Sequence, residues 1–355
     1  MYANRTELAE AWRMFAVQQC RGYSPLYEAI ALAVAAAPDI VDLTLDAPLS
    51  GRQPNVLLAA VHDLLLRGID DPLAAIYDGT SVAPVGEAFC AFVRAHQPEI
   101  ADLLSTRRTN TNECGRSAVL LPALWWVSDH IGSPLALLDG GASAGLNLLL
   151  DRYRIDYGDH GATGPADSPV RIDCELVGEA PVRLQPPPIA ARIGLDRAPV
   201  DLSNPDGARW LLACVWPDTG RLERTRAALE LASANSIEVV AGDLADDLAT
   251  VAAKLPSGVP LCVTTSWVLA YLSPRRRAAF VNRLADLAAD RPVAWVNAEG
   301  PGVIEGLPPL PDLDPRFAGG IDPSVLAVTV FDASVPSTHV LGLCHAHGTW
   351  LQWTA

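Results

Sequence analysis

The sequence predicts an α/β protein: a doubly wound, mostly parallel sheet with an antiparallel C-terminal strand, preceded by a helical N-terminal domain. Three observations predict it. Residues 1–132 place apolar side chains at helical spacing and show few alternating runs. At Pro134–Asp139 the texture changes to a short apolar strand, followed by the glycine-rich turn Gly140–Gly145 and a helix start at Leu146–Arg152. Strand, glycine turn and helix form the opening unit of a doubly wound sheet. Beyond it, strand-like and helical stretches alternate, as parallel sheets require.

The helical elements are expected at Thr6–Arg21, Pro25–Ala37, Asn55–Arg67, Val85–His96 and Ser117–His130. Turns at Pro48–Gly51, Gly68–Pro72 and Asp78-Gly79 separate several of them. Strands are expected at Ala190–Leu195, Ile237–Ala241, Pro260–Thr265, Pro292–Asn297, Ser324–Phe331 and Thr338–His345. Between them the helical stretches are Asp206–Val215, Arg221–Ala232, Leu244–Leu255 and Pro274–Ala289. The short link Asp332–Ser337 makes the last two strands antiparallel neighbours. Residues 153–189 break the rhythm: Tyr153–Tyr157 and Val170–Val177 read as a β-hairpin inserted after the first Rossmann-like helix. The division is therefore 1–132, a helical cap domain, and 133–355, a Rossmann-like cofactor-binding domain.

Composition excludes several function classes. The chain has 355 residues and a formal net charge of −15, so it lacks the basic footprint of a nucleic-acid binder. Seven widely spaced cysteines without a CxxC pair argue for reduced thiols and a cytoplasmic protein, with no zinc site. Charges at Arg5, Glu7, Glu10 and Arg13 interrupt any signal-peptide pattern. The longest apolar stretches, such as Ile30–Pro38, are too short to span a bilayer. There is no phosphate-loop motif, and Lys254, the sole lysine, is a poor Schiff-base candidate. The expected partner is a small molecule; the oligomeric state has no sequence signal.

The segment Asp139-Gly-Gly141-Ala142-Ser143-Ala-Gly145 supports three readings. It fits D-x-G-x-[G/S]-x-G, motif I of class I S-adenosylmethionine-dependent methyltransferases, in which small residues let backbone approach the cofactor. It also fits G-x-S-x-G, the nucleophile elbow of an α/β-hydrolase serine esterase with Ser143 as nucleophile. The third reading is an ordinary glycine turn. Spacing favours the first. Asp196, at the strand end Gly194-Leu-Asp196, lies 57 residues after Asp139, and removing the 37-residue insertion leaves 20. That matches the step to the ribose-binding acid in nucleotide-binding βαβ units. Gly242-Asp243-Leu244 then follows the third strand, where the adenine would lie. Asp196 and Asp243 could equally be helix caps. The hydrolase order Ser143, Asp243 or Glu299, then His345 or His347 is present, but no oxyanion segment precedes the turn.

Three further groups are candidates. Asn112, Glu113 and Arg116 make an unusually polar entrance to the helix at Ser117. They cap that helix or face the ligand, where the helix end suits a carboxylate. Ser266, Trp267 and Tyr271 follow the fourth strand, at a ligand-binding edge, although Trp267 and Tyr271 could instead pack in the core. His345 and His347 would share one strand face. No compact third ligand accompanies them, so no metal is expected.

The chain resembles a bacterial family of unassigned function within the class I S-adenosylmethionine-dependent methyltransferase-like Rossmann group. The resemblance rests on Gln53–Val56, Thr111–Arg116, Gly141–Asn147, Gly194–Pro199, Trp216-Pro217, Gly242-Asp243 and His347–Trp350, spread over nearly the whole chain. It implies a methyltransferase-like sheet and supplies no substrate or catalytic residue; S-adenosylmethionine is the cofactor expected from the glycine turn and the spacing of its acids. The residues expected to line that site are Asn112, Arg116, Asp139, Gly141, Ala142, Ser143, Gly145, Asn147, Asp196, Gly242, Asp243, Leu244 and Ser266. Glu113, Tyr271 and His345 are the candidate proton acceptors for a small-molecule methyl acceptor. The alternatives are the serine esterase and a non-catalytic cofactor-binding or regulatory protein.

Overall fold

The computed structural model describes residues 4–318, 322–331 and 335–355. The chain divides into two compact units. One holds the residues up to Thr111 together with Asn204–Arg226; the other holds Asn112–Ser203 and Ala227–Ala355.

In chain order, α1 (Arg5–Phe15), α2 (Pro25–Ala35), α3 (Pro38–Asp46), α4 (Pro54–Leu66), α5 (Pro72–Tyr77), α6 (Val85–Ala95) and α7 (Gln97–Thr106) precede α8 (Ser117–Ile131). A proline at the first or second position starts α2, α3, α4, α5 and α7, where its missing N–H costs nothing. The helices α3, α5 and α7 are additions to the sequence reading. They are short and lie between turn signals, where periodicity is weak. Trp12, Tyr27, Phe89 and Phe92 form the large side chains of this unit's core. Helix α8, with the Asn112–Arg116 entrance, belongs to the other unit, where it packs on the sheet. Among the described residues no helix is long and apolar enough to cross a membrane.

The strands are β1 (Leu135–Gly140), β2 (Arg154–Asp156), β3 (Ala162–Thr163), β4 (Arg171–Asp173), β5 (Glu175–Val177), β6 (Ile189–Asp196), β7 (Val239–Ala241), β8 (Leu261–Ser266), β9 (Val293–Glu299), β10 (Ser324–Phe331), β11 (Ser337–Cys344) and β12 (Trp350–Trp353). The remaining helices are α9 (Pro205–Ala213), α10 (Leu222–Asn235), α11 (Leu248–Ala252) and α12 (Pro274–Leu287). Nine strands form one sheet in the order β5-β12-β11-β10-β9-β8-β1-β6-β7. From β7 to β9 all neighbours are parallel. Strand β10 is antiparallel to both β9 and β11, as the short link requires. Residues 332–334 of that link lie outside the described residues.

After β1 the chain builds outward through β6 and β7, then returns to build the other side through β8 and β9. The reversal puts a topological switch point between β1 and β8, the position at which open α/β sheets bind ligands.

Three expectations need correction. The insertion is not a simple hairpin. Strand β2 pairs antiparallel with β3 and parallel with β4, while β5 joins the far edge of the main sheet beside β12. The turn between the two expected strands was long enough to hold a strand of its own. The segment Leu146–Arg152 is a 3-10 stretch with non-helical backbone at Leu149, so no long first Rossmann-like helix follows the glycine turn. Finally, β11 ends at Cys344, and His345–Gly348 form a turn, with the Gly348 amide bonded to the His345 carbonyl at 2.9 Å. Gly348 takes φ 74°, so the two histidines do not share a strand face.

Candidate functional site

The turn after β1 is built from left-handed backbone: Gly141, Ser143 and Gly145 have φ of 77°, 53° and 76°. Its amides are consumed within the protein. Gly141 donates to Leu195 O, and Gly145 to Ala142 O. Ser143 N donates to Asp196 Oδ2 at 2.8 Å. Ala144 N and Leu146 N both donate to Asn112 Oδ1, at 3.2 and 3.1 Å. The glycines also make room for neighbours. A Cβ at Gly140 would lie 2.5 Å from Leu244, at Gly141 2.5 Å from Val268, and at Gly145 2.7 Å from Ile237. Ala142 is buried beside Gly194 of β6.

The Asn112–Arg116 entrance forms one wall. Glu113, not Asn112, caps the first turn, accepting Gly115 N at 2.8 Å. Asn112 is thereby left to hold the glycine turn. Ser117 Oγ bonds Asn147 Oδ1 at 3.0 Å, tying the same two segments again. Arg116 reaches along the sheet edge, donating from Nε to Ala346 O at 2.9 Å and from Nη1 to Ser266 O at 3.0 Å. Glu113 Oε2 lies 3.8 Å from His347 Nδ1, and His345 Nδ1 accepts His347 N at 3.2 Å. Gly348 touches Gly115 so closely that a Cβ there would lie 1.9 Å from Gly115 O.

Carboxyl groups end the parallel strands. Asp139 on β1 is buried and accepts Thr264 Oγ1 at 2.7 Å. Burial pushes its pKa up to about 7; the Asp196 charge adds to this, while the Thr264 bond and Arg116 oppose it. Asp196 ends β6 and also accepts Ala198 N at 2.8 Å. Beside it, Gly242 N bonds Asp196 O, carrying β7 to the same edge. Burial alone would raise Asp243, but the Ala245 amide and the Arg276 and Arg197 guanidiniums outweigh it and hold that carboxyl below the usual range. Asp243 is thus partly a helix-entrance cap and ion-pair partner.

Of two polar β9 residues, the sequence names Glu299 only as a possible acid of the esterase reading and does not single out Asn297. Glu299, buried at the tip of β9, accepts Val268 N and Leu269 N on Oε1 at 3.1 and 3.2 Å. Burial pushes its pKa up to about 7, against those two bonds and the charges of Arg116 and Arg277. Asn297, two residues earlier, is also buried. The available signal was two polar residues in the otherwise apolar run Val293–Glu299. Tyr271, a candidate proton acceptor, is 80% exposed and is not brought into the buried cluster. Glu113 and His345 are in it. Among the described residues no group of three or more His, Cys, Asp or Glu is placed to hold a metal ion.

Segments distant in the chain therefore meet at one edge: Asn112–Arg116 with Gly141–Asn147, Gly194–Pro199 with Gly242-Asp243, and His347–Trp350 with Gly115. Residues 9–353 match DUF2332, described as an uncharacterized protein conserved in bacteria. The chain belongs to that family. No curated protein matches it. In this DUF2332 protein the polar edge of the sheet is the candidate site, because the switch point lies there and most of the polar residues singled out in the sequence, Tyr271 excepted, converge on it.

Proposed function

We propose that the DUF2332 protein is a class I methyltransferase-like enzyme that binds S-adenosylmethionine and acts on a small molecule. One observation carries this reading. Strands β7-β6-β1-β8-β9 reproduce the order 3-2-1-4-5 of a doubly wound nucleotide-binding sheet, and Asp196 at the tip of β6 is bonded to the turn after β1.

The residues fit such a cofactor selectively. The turn amides are already bonded and the following 3-10 stretch is short, so a phosphate would find no donor cradle there. Carboxyl groups instead end β1, β6 and β9, with Asp243 just past β7, which suits a cationic nucleoside. Asp196 keeps lone pairs for ribose hydroxyls, and Gly242–Leu244 flank the adenine side. When bound, the cofactor supplies an electrophilic methyl group on a sulfonium. The chain's part is to orient the acceptor and exclude water, with Glu113 or His345 accepting a proton where the acceptor carries one.

Calorimetry with S-adenosylmethionine and S-adenosylhomocysteine tests this. Both should bind. Near pH 7 the sulfonium form should release more protons, because its charge favours ionised Asp139; buffers of different ionisation enthalpy report that release. No heat from either ligand at about 1 mM sinks the reading.

A specific observation favours the esterase as second reading: Ser143 has positive φ inside G-x-S-x-G, as a nucleophile elbow does. Against it, Ser143 is only 3% exposed and follows the first strand of the main sheet rather than a later one. A fluorophosphonate probe should leave the protein unlabelled. Stoichiometric labelling that disappears in Ser143→Ala would establish the esterase instead. Cofactor binding without transfer to any acceptor would leave the non-catalytic regulatory reading.

A further inference from the structure

Strand β9 carries an anomaly at its carboxyl end. Trp295, Asn297 and Glu299 alternate onto one face of the sheet. Trp295 Nε1 is satisfied by Thr265 Oγ1 at 3.0 Å. Asn297 and Glu299 are 0% and 1% exposed, yet among the described residues neither Asn297 Nδ2, Asn297 Oδ1 nor Glu299 Oε2 has a hydrogen-bond partner. Three unmatched polar atoms on two residues of one strand face are not what a core tolerates for packing alone.

A second observation concerns the segment that Glu299 holds. The Ser266–Leu269 segment is held down by Glu299 Oε1 through the Val268 and Leu269 amides. Arg277 Nε adds bonds to Leu269 O and Leu272 O. Within this segment Trp267 has φ 56°, a strained conformation for an aromatic residue. It is held there by Trp267 N to Ala298 O at 3.1 Å and Nε1 to Ser324 Oγ at 2.8 Å. Strain of this kind persists where a surrounding structure enforces it, commonly at ligand sites.

We propose that Asn297 and Glu299 form the floor, and Trp267–Leu269 the roof, of a subsite for a neutral molecule that presents an N–H donor beside a carbonyl acceptor. Asn297 supplies one donor group and one acceptor, and Glu299 supplies a second acceptor. Burial disfavours charge on Glu299 and would equally disfavour a charge on a molecule beside it, which selects a neutral ligand. A carboxamide edge matches what remains. The subsite stands on geometry of its own and does not depend on the cofactor reading.

Saturation-transfer NMR tests it with nicotinamide as the carboxamide probe, and with benzoate and benzylamine as anionic and cationic controls. In the full-length protein nicotinamide should receive saturation and the controls should not. Asn297→Leu, close in shape but without polar atoms, should abolish the transfer while melting no lower than wild type. Trp267→Gly, which relieves the backbone strain and opens the roof, should increase it severalfold. If Asn297→Leu does not fold, Glu299→Gln serves, with at least a threefold loss expected. Transfer that survives these floor substitutions, or no transfer in either wild type or Trp267→Gly, overturns the proposal. The second outcome is the one expected if trapped solvent alone satisfies these atoms. Calorimetry with S-adenosylhomocysteine is scored separately, so the two proposals can fail independently.

Discussion

Thr264 Oγ1 donates to Asp139 Oδ1 at 2.7 Å, joining adjacent parallel strands across the switch point. The bond does not offset the burial of Asp139, whose pKa is raised to about 7. In the unfolded chain the group titrates near its ordinary value of about 3.9. Below that value it is protonated in both states and has no pH-dependent effect. Between the two values the folded state holds the proton that the unfolded state has released, so stability falls as pH rises, and the loss is complete above the folded value. Asp139→Asn should therefore gain stability over wild type by roughly 1–4 kcal/mol at pH 8, with little difference at pH 4. Urea unfolding at the two pH values measures this; a difference that does not grow with pH contradicts it.

Asn112 holds two amides of the glycine turn through a single oxygen. Asn112→Ala strands both in a buried setting and should cost about 1–3 kcal/mol. Asn112→Asp keeps the acceptor and should lose less. Chemical denaturation of the two variants gives the ranking, and equal losses would refute the role assigned to the oxygen.

Ser143 sits at φ 53°. Glycine occupies that region without the Cβ penalty, and a β-branched residue suffers most from it. Ser143→Gly should be neutral or stabilising by up to about 1 kcal/mol, and Ser143→Val destabilising by about 2 kcal/mol. Thermal unfolding should place wild type between the two.

Gly348 has φ 74° and no room for a Cβ against Gly115 O. Gly348→Ala adds backbone strain to a steric clash and should cost roughly 2–4 kcal/mol. Because this contact closes the His345–Gly348 turn onto the Glu113 wall, hydrogen exchange should quicken in both segments. Faster exchange in only one of them would show that they are not coupled.

Asp196 tests the cofactor reading at a single residue. Asp196→Asn should weaken S-adenosylhomocysteine binding by about 1.5–3 kcal/mol, the scale for a lost charged hydrogen bond. The variant retains one oxygen for the Ser143 amide but turns its NH2 toward the Ala198 N–H, so a stability loss of about 1 kcal/mol is expected and affinity is compared at a temperature where both proteins are folded. Unchanged affinity in a folded protein removes Asp196 from the site.

Local pattern carried much of the fold. Apolar spacing located α1, α2, α4, α6 and α8, and strand β10 matches its expected range of Ser324–Phe331. These features depend on contacts a few residues apart or on one buried face, which a linear pattern records. The spacing argument that singled out Asp196 also pointed to a real contact, since the carboxylate meets the glycine turn across 53 positions. The inserted segment was harder to read, because strands of two or three residues carry too little alternation. The sequence by itself therefore determined the longer helices and main-sheet strands, the glycine turn with its acids, and the polar entrance before α8. Only the tertiary structure decided which of these residues share a site. Arg116 meets Ala346 across 230 positions because strand order brings β1, β8 and β11 toward one edge, and strand hydrophobicity does not encode that order. The same packing turned Tyr271 outward and buried Asn297 and Glu299, since the face a residue presents is set by what the sheet lies against.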